Sequence, residues 1–247
     1  MTFADWRAYF ERNRVRPLPD LDDAARPLPE AWPPLLARSL AVFQLGESKG
    51  GRIATEIDRV PGLDADYRAA VKLFIAEEQR HGELLALCVA GLGGELLQST
   101  WTESAFVVAR RLAGVRFKLA VLLAAETVGL AFYRGLCTRL PAGSLHACLD
   151  EICADEVAHL RFHATAFGGD RAFRLAWYPV VIAAATVVLL DHRRTHRALG
   201  IPLRESVARF TAQIRDVGRS LAAPPAVAAS ERSSTLPAPT EARYTTR

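Results

Sequence analysis

Paired cysteine motifs are missing from this chain. Its four cysteines, Cys88, Cys137, Cys148 and Cys153, include no Cys-x-x-Cys, which excludes a tetrathiolate metal site built from two such pairs. All four fall in apolar, helix-patterned segments and read as reduced core residues of a cytoplasmic protein. The segment beginning Met1-Thr-Phe-Ala-Asp-Trp has no apolar stretch of signal-peptide length, so no secretory leader is expected. No basic stripe with interleaved aromatics occurs, and the formal net charge is only +4; nucleic acid is not an expected partner. The longest apolar run, Ala176–Leu190, holds 15 residues and is interrupted by Pro179. That is short of the roughly 20 residues a membrane span requires, so a buried helix or a membrane-surface contact is expected instead of a span. What the chain does have is apolar content: 50% of its 247 residues are hydrophobic, enough for one large helical domain.

Inside that apolar background a pattern occurs twice. Leu40–Glu47 ends on a lone glutamate, and Ile75–His81 follows with Glu78 and His81 spaced as Glu-x-x-His. Leu119–Glu126 and Ile152–His159 repeat the arrangement with Glu126, Glu156 and His159. Glu78 lies 31 residues after Glu47, and Glu156 lies 30 after Glu126. Residues three apart share a helix face, so each Glu-x-x-His aims a carboxylate and an imidazole at one point. Four helices so equipped supply four carboxylates and two imidazoles, the ligand set of a two-metal site in a bundle core. Glu126 sits in Leu119–Leu130, a run with no other charge, where an unpaired carboxylate is costly to bury and a metal would supply the partner.

The duplicated motif resembles the ferritin-like di-iron carboxylate superfamily, the group that includes rubrerythrins, bacterioferritins and di-iron oxygenases, over roughly residues 32–167. The resemblance implies an all-α fold: a ferritin-like four-helix bundle with a long crossover between its two helical pairs. It also implies two iron ions, with manganese–iron or dimanganese pairs as alternatives, held by Glu47, Glu78 and His81 on one side and Glu126, Glu156 and His159 on the other. Glu78 and Glu156 would bridge. The residues preceding the motif glutamates are Glu77 and Asp155. In the multicomponent monooxygenases an Asp in this place hydrogen-bonds a ligating imidazole, a second layer of support that orients the ring; Asp155 matches that pattern and Glu77 matches it loosely. Arg80 stands where some family motifs carry arginine, but Ala158 replaces it in the second half, which argues against the monooxygenase branch. The electron-transfer domain of a full rubrerythrin, with its cysteine pairs, is missing.

In chain order, Phe3, Trp6, Tyr9 and Phe10 predict a short amphipathic helix over residues 3–13. Six prolines between 16 and 34 predict an extended connector, and residues 1–31 are read as an N-terminal arm. The ferritin-like domain is expected over 32–221, with the bundle core at 32–167 and two extra helices within 170–221. Helix 1 is expected from Pro33 or Pro34 to Val60, with Gly46, Gly50 and Gly51 marking close helix packing or room near the metals. Glu56 is expected to be solvated. Helix 2 runs from an Asp64 cap to Gly91, and a crossover occupies about 92–104, part of residues 95–111 being helical. Helix 3 covers about 103–140, helix 4 Ser144 to Gly168, a fifth helix Asp170–Leu199 with a break near Pro179, and a sixth Arg204–Leu221. Residues 222–247 read as a flexible tail.

Two further residues are accessory candidates. Tyr133, seven past Glu126, and His163, four past His159, lie on the inward faces of their helices. His192 and His196 have a metal-compatible spacing but stand among Arg193, Arg194 and Arg197, which predicts a solvated helix end. The functional expectation is an iron-dependent oxidoreductase using dioxygen or peroxide on a small or hydrophobic organic substrate, with an external electron donor; a homodimer fits this reading. The alternatives are an iron-oxidising storage protein, against which the extra helices and arm count, and a non-catalytic scaffold stabilised by metal.

Overall fold

The computed structural model describes residues 1–48, 51–99 and 114–224. These residues form nine α-helices and one 3-10 turn, with no strand among them. The helices are α1 (Phe3–Asn13), α2 (Pro33–Glu47), α3 (Gly51–Glu56), α4 (Ala65–Gly91), α5 (Val115–Cys137), α6 (Ser144–Phe167), α7 (Arg171–Asp191), α8 (Arg193–Ala198) and α9 (Leu203–Ala222). The expected all-α bundle is what the described residues form. Helix α2 packs along α4, α5 packs along α6, and α4 meets α6. Leu36, Leu40, Phe74, Leu84, Leu123 and Leu149 fill the space between them and are wholly inaccessible to solvent. Helix α7 packs on α5, and α9 on both.

Local chemistry sets several of the helix ends. Asp64 accepts from the Tyr67 amide at 2.8 Å and starts α4 as expected, and Asp170 does the same for α7 through the Phe173 amide at 2.9 Å. Thr2 and Asp5 close a reciprocal capping box on α1, which satisfies two otherwise unpaired backbone donors. The expected helix from Pro33 to Val60 is divided instead: α2 stops at Glu47, α3 ends at Glu56, and Ile57–Arg59 is a 3-10 turn. A stretch with three glycines carries little intrinsic helix preference, and no compensating packing holds Gly46, which is exposed with open space where a Cβ would stand. Close helix packing falls instead at Gly82, where a Cβ would lie 3.1 Å from Ser48 Oγ and 3.6 Å from Glu47 Cβ. Glu56 is not free in solvent but paired with Lys118 at 2.6 Å. The break expected at Pro179 comes at His192 instead. Pro179 is on the exposed face of α7, where solvent can serve the carbonyl its ring leaves unpaired. The crossover beyond residue 99, the start of helix 3 and the tail from 225 onward lie outside the described residues.

The proline-rich connector is packed rather than loose. Leu21 and Ala24 are buried against the bundle, and the backbone carbonyl of Leu21 occupies the place of a Gly91 side chain: a Cβ there would sit 2.0 Å from that oxygen. Gly91→Ala is therefore expected to displace the connector and to destabilise the protein by about 2–3 kcal/mol, as overpacking against backbone does. Urea unfolding of the two proteins side by side measures it, and an unchanged midpoint would contradict the close approach.

The His192 corner holds a second surprise. His192 and His196, expected at a solvated helix end, are buried at 2% and 5% exposure. His192 Nδ1 lies 2.9 Å from Ser39 Oγ, which lies 2.7 Å from Thr195 Oγ1, and its ring stacks on Phe43 at 5.3 Å. Arginines of the α7–α8 turn point outward while the imidazoles point in. Burial depresses the His192 pKa from 6.5 to about 4, with Asp191 opposing and His196 and Arg38 reinforcing. A folded-state pKa below the unfolded one means that the unfolded chain binds more protons between these values. His192 thus contributes stability that is complete above pH ~6.5 and is lost as pH falls through about 4, amounting to about 3 kcal/mol by linkage. Between pH 7 and pH 5 the wild type is expected to lose about 2 kcal/mol more stability than His192→Asn does, as denaturation of both proteins at the two pH values measures.

Candidate metal centre

Both Glu-x-x-His motifs lie near the middle of their helices and face each other. Glu78 and His81 project from α4, Glu156 and His159 from α6, and one ligand atom from each lies within 4.8 Å of the others. All four residues are buried, with exposures of 2% or less. His159 Nδ1 lies 2.8 Å from Glu78 Oε1 and 3.6 Å from Glu156 Oε2, and His81 Nδ1 lies 3.5 Å from Glu156 Oε1 and 3.8 Å from Glu78 Oε1. Each imidazole is thus nearer the other motif's glutamate than its own, and both glutamates stand between the two rings.

The outward nitrogens of the rings are crossed as well. His159 Nε2 meets Glu77 Oε2 at 2.9 Å, and His81 Nε2 meets Asp155 Oδ2 at 3.2 Å. Helices α4 and α6 therefore run antiparallel past each other, a register that also brings Cys88 Sγ to 3.5 Å from Cys148 Sγ. Glu77 and Asp155 are buried at 6% and 2% exposure, and one cation joins them. Arg16, from the connector, donates through Nη1 and Nη2 to both oxygens of Asp155 at 3.0 and 2.7 Å, and through Nη2 to Glu77 Oε1 at 2.7 Å. Arg80 holds Glu151 at 2.8 Å beside it. Helix α1 closes the same end, with the Phe10 ring 5.9 Å from His159 and the Phe74 edge 4.7 Å from it.

The remaining candidates take separate places. Glu126 of α5 is buried and accepts a hydrogen bond from, or donates one to, His163 Nε2 at 3.0 Å through its Oε1. Glu47, half-buried at the end of α2, stands close enough to Glu78 for the two carboxyls to influence each other's protonation. Tyr133 is fully buried, stacks beside Phe43 at 5.1 Å, and its hydroxyl has no partner among the described residues. Of the six expected ligands, then, four converge on one point, while Glu47 and Glu126 flank it through Glu78 and His163.

The electrostatics follow from packing so many charges in a dry interior. Burial works against the His81 imidazolium, but the hydrogen bond to Asp155 and the nearby carboxylates of Glu156 and Glu78 outweigh it and raise its pKa to about 9. His159 is raised too, by Glu78, Glu156 and Glu77 acting against burial. Burial would raise Glu78 and Asp155, yet His159 and His81 bring Glu78 down to about 2, and His81 and Arg16 do the same for Asp155. Glu47 goes the other way, pushed well up by burial and by the charges of Glu78 and Glu156. Burial also lifts Glu126 to about 7, with His163 opposing. A cation bound between the rings would displace the protons these groups hold, since imidazole coordinates only when neutral.

The donor set fits such a cation. Glu78 Oε1, both oxygens of Glu156, Glu126 Oε2 and the Nδ1 atoms of His81 and His159 are buried and lack hydrogen-bond partners among the described residues. Buried polar atoms are almost always paired, and the unpaired oxygens and imidazole nitrogens of Glu78, Glu156, His81 and His159 belong to one small cluster. That mixture suits iron or manganese better than ions that favour thiolates. Spacing alone picked out the four residues that cluster and the acid beside each. It did not find Arg16, which looks like any other charge in a proline-rich stretch and is separated from Asp155 by 139 residues. Comparison with known protein families, with curated proteins and with solved structures finds no match for the chain.

Proposed function

We propose that this chain is a di-iron oxidoreductase that uses dioxygen or peroxide to oxidise a small or hydrophobic organic substrate. The observation that carries the reading is the convergence of unpaired carboxylate oxygens and imidazole nitrogens inside the bundle. Glu78, Glu156, His81 and His159 would hold the metals, Glu47 and Glu126 completing the set from α2 and α5. Two irons held there supply redox equivalents and open coordination positions for the oxidant. Glu77, Asp155 and Arg16 fix the ring orientations and keep Nδ1 of each imidazole pointing inward. Glu126 is oriented by its hydrogen bond with His163 Nε2, which leaves its other oxygen free to face the metals. Phe10, Phe74 and Phe162 exclude water from the α1 end, and electrons are expected from an external donor, as the chain carries no paired-cysteine site of its own.

Metal analysis of the purified protein, followed by anaerobic Fe(II) loading and exposure to air in a spectrometer, tests the proposal. The expected result is about two irons per chain and an absorption change on aeration that Glu156→Ala lacks. Stoichiometric metal with no response to oxygen would leave a structural site, and a particle of many subunits that accumulates iron would make it a storage protein. Either outcome overturns the oxidoreductase reading.

A further inference from the structure

Helix α7 is uncovered along one side. Residues 175–190 carry no charge, and the most apolar 18-residue window of the helix has a mean hydropathy of 1.9, yet only 28% of that window is buried. The inner face, with Phe173, Trp177, Val181, Ala184 and Ala185, packs into the protein. The outer face carries Leu175, Ala176, Pro179, Ile182, Ala183 and Leu190, all exposed; Leu175, Ile182 and Leu190 are 56–60% accessible. Their spacing of three and four places them on one stripe about 22 Å long. The polar group on the stripe, the Thr186 hydroxyl, is turned back onto the Ile182 carbonyl at 2.8 Å. A continuous apolar stripe of this size on a protein surface marks a contact site.

Both ends of the stripe are cationic. At its C-terminal end a pocket of about 450 Å³ opens between α2 and the α7–α8 turn, lined by Arg38, Arg193 and Arg194 and walled by Val187 and Leu190, with Asp191 as its one acid. Arg171 and Arg174 stand at the other end. None of these five guanidinium groups is paired with a carboxylate among the described residues. Leu190 belongs to both stripe and pocket, so the apolar and cationic surfaces are continuous.

We propose that this face seats the protein on an anionic phospholipid bilayer, with α7 lying in the plane of the surface and lipid phosphates taken by Arg38, Arg193 and Arg194. An in-plane helix of this kind buries its apolar side at the boundary of headgroups and acyl chains while flanking cations hold anionic lipid. Spanning the bilayer is a different matter, because Trp177 and its inner-face neighbours would have to leave the core. A second copy of the chain fits less well. Stripe against stripe in antiparallel register, Arg171 and Arg174 of one copy would meet Arg193 and Arg194 of the other, and in parallel register each cluster would meet itself. Like charges so placed disfavour association, whereas anionic headgroups neutralise both clusters.

Vesicle co-sedimentation of the full chain tests the proposal. Phosphatidylcholine vesicles are compared with vesicles containing about 30% phosphatidylglycerol, with salt as a third variable. Binding is expected to be at least about tenfold stronger on the anionic vesicles and to fall with salt. It is expected to drop about tenfold or more in Ile182→Asp and in the double variant Arg193→Glu with Arg194→Glu. These side chains are exposed, so circular dichroism and metal content are expected to match the wild type; Leu175→Ser provides a second apolar variant. No preference for anionic vesicles, or no effect of the substitutions, would overturn the proposal. So would a dimer in sedimentation velocity that Ile182→Asp dissociates, which would assign the face to a second copy.

Discussion

If the centre holds two ions as proposed, Glu78→Ala is expected to empty both positions rather than one. Glu78 Oε1 lies 2.8 Å from Nδ1 of His159 and 3.8 Å from Nδ1 of His81, so its carboxylate serves both halves of the centre. Without it the inward Nδ1 of each imidazole keeps only Glu156 as a close carboxylate neighbour, and that group is shared as well. Metal content is expected to fall from about two ions per chain to below about 0.2, since ligand loss in a preformed site forfeits most of its binding free energy. Glu126→Ala is the informative contrast. Its carboxylate is engaged with His163 at one side of the site, so the variant is expected to retain about one tightly held ion. Elemental analysis after gel filtration measures both, and a Glu78→Ala protein that keeps a full ion would mean that the halves bind independently.

Arg16→Ala carries the second large effect. This one side chain neutralises Glu77 and Asp155, two buried acids hydrogen-bonded to the imidazoles of His159 and His81. Removing a partner from buried charges costs about 3–5 kcal/mol where no water reaches; with the Arg16 side chain 28% exposed, about 2 kcal/mol is the expected loss here. Metal affinity is expected to fall about 10–100-fold, the usual effect of disturbing a ligand's supporting hydrogen bonds. Arg16→Lys is expected to recover part of the stability but little of the affinity, because one ammonium cannot reproduce the two-pronged grip on Asp155. Arg7→Ala is the control: its pair with Asp66 is 59% and 39% exposed, and its loss is expected to cost under about 0.5 kcal/mol. Equal metal affinity in Arg16→Ala and wild type would show that the connector only covers the site.

The parts of this architecture that were legible in the sequence are those encoded by neighbours along the chain. A Glu-x-x-His on a helix needs only its own spacing to declare a shared face, and Asp64 before an amphipathic run declares a helix start. What escaped was set by partners far away. Glu77 was read as a loose match to an imidazole-supporting acid, yet its contact with His159 is the shorter of the two; the length of a side chain says little until the backbone separation is known. His192 and His196 were expected in solvent because their sequence neighbours are arginines. A helix end can turn its cations outward and its imidazoles inward, and only the packing of Ser39 and Phe43 against them fixes which way they face. The stop of α2 at Glu47 was similarly hidden, as three glycines are compatible with either a close crossing or a break.

The crossing of the supporting acids has a bearing on how the protein is made. Glu77 reaches over 82 residues to His159, Asp155 over 74 to His81, and Arg16 over 139 to Asp155. A chain emerging from the ribosome through α4 alone has one half-motif whose imidazole has neither its acid nor its opposite glutamate. Such contacts form late, after the closure of long loops has been met by packing elsewhere. The cluster is therefore completed only when α6 packs against α4, late in folding.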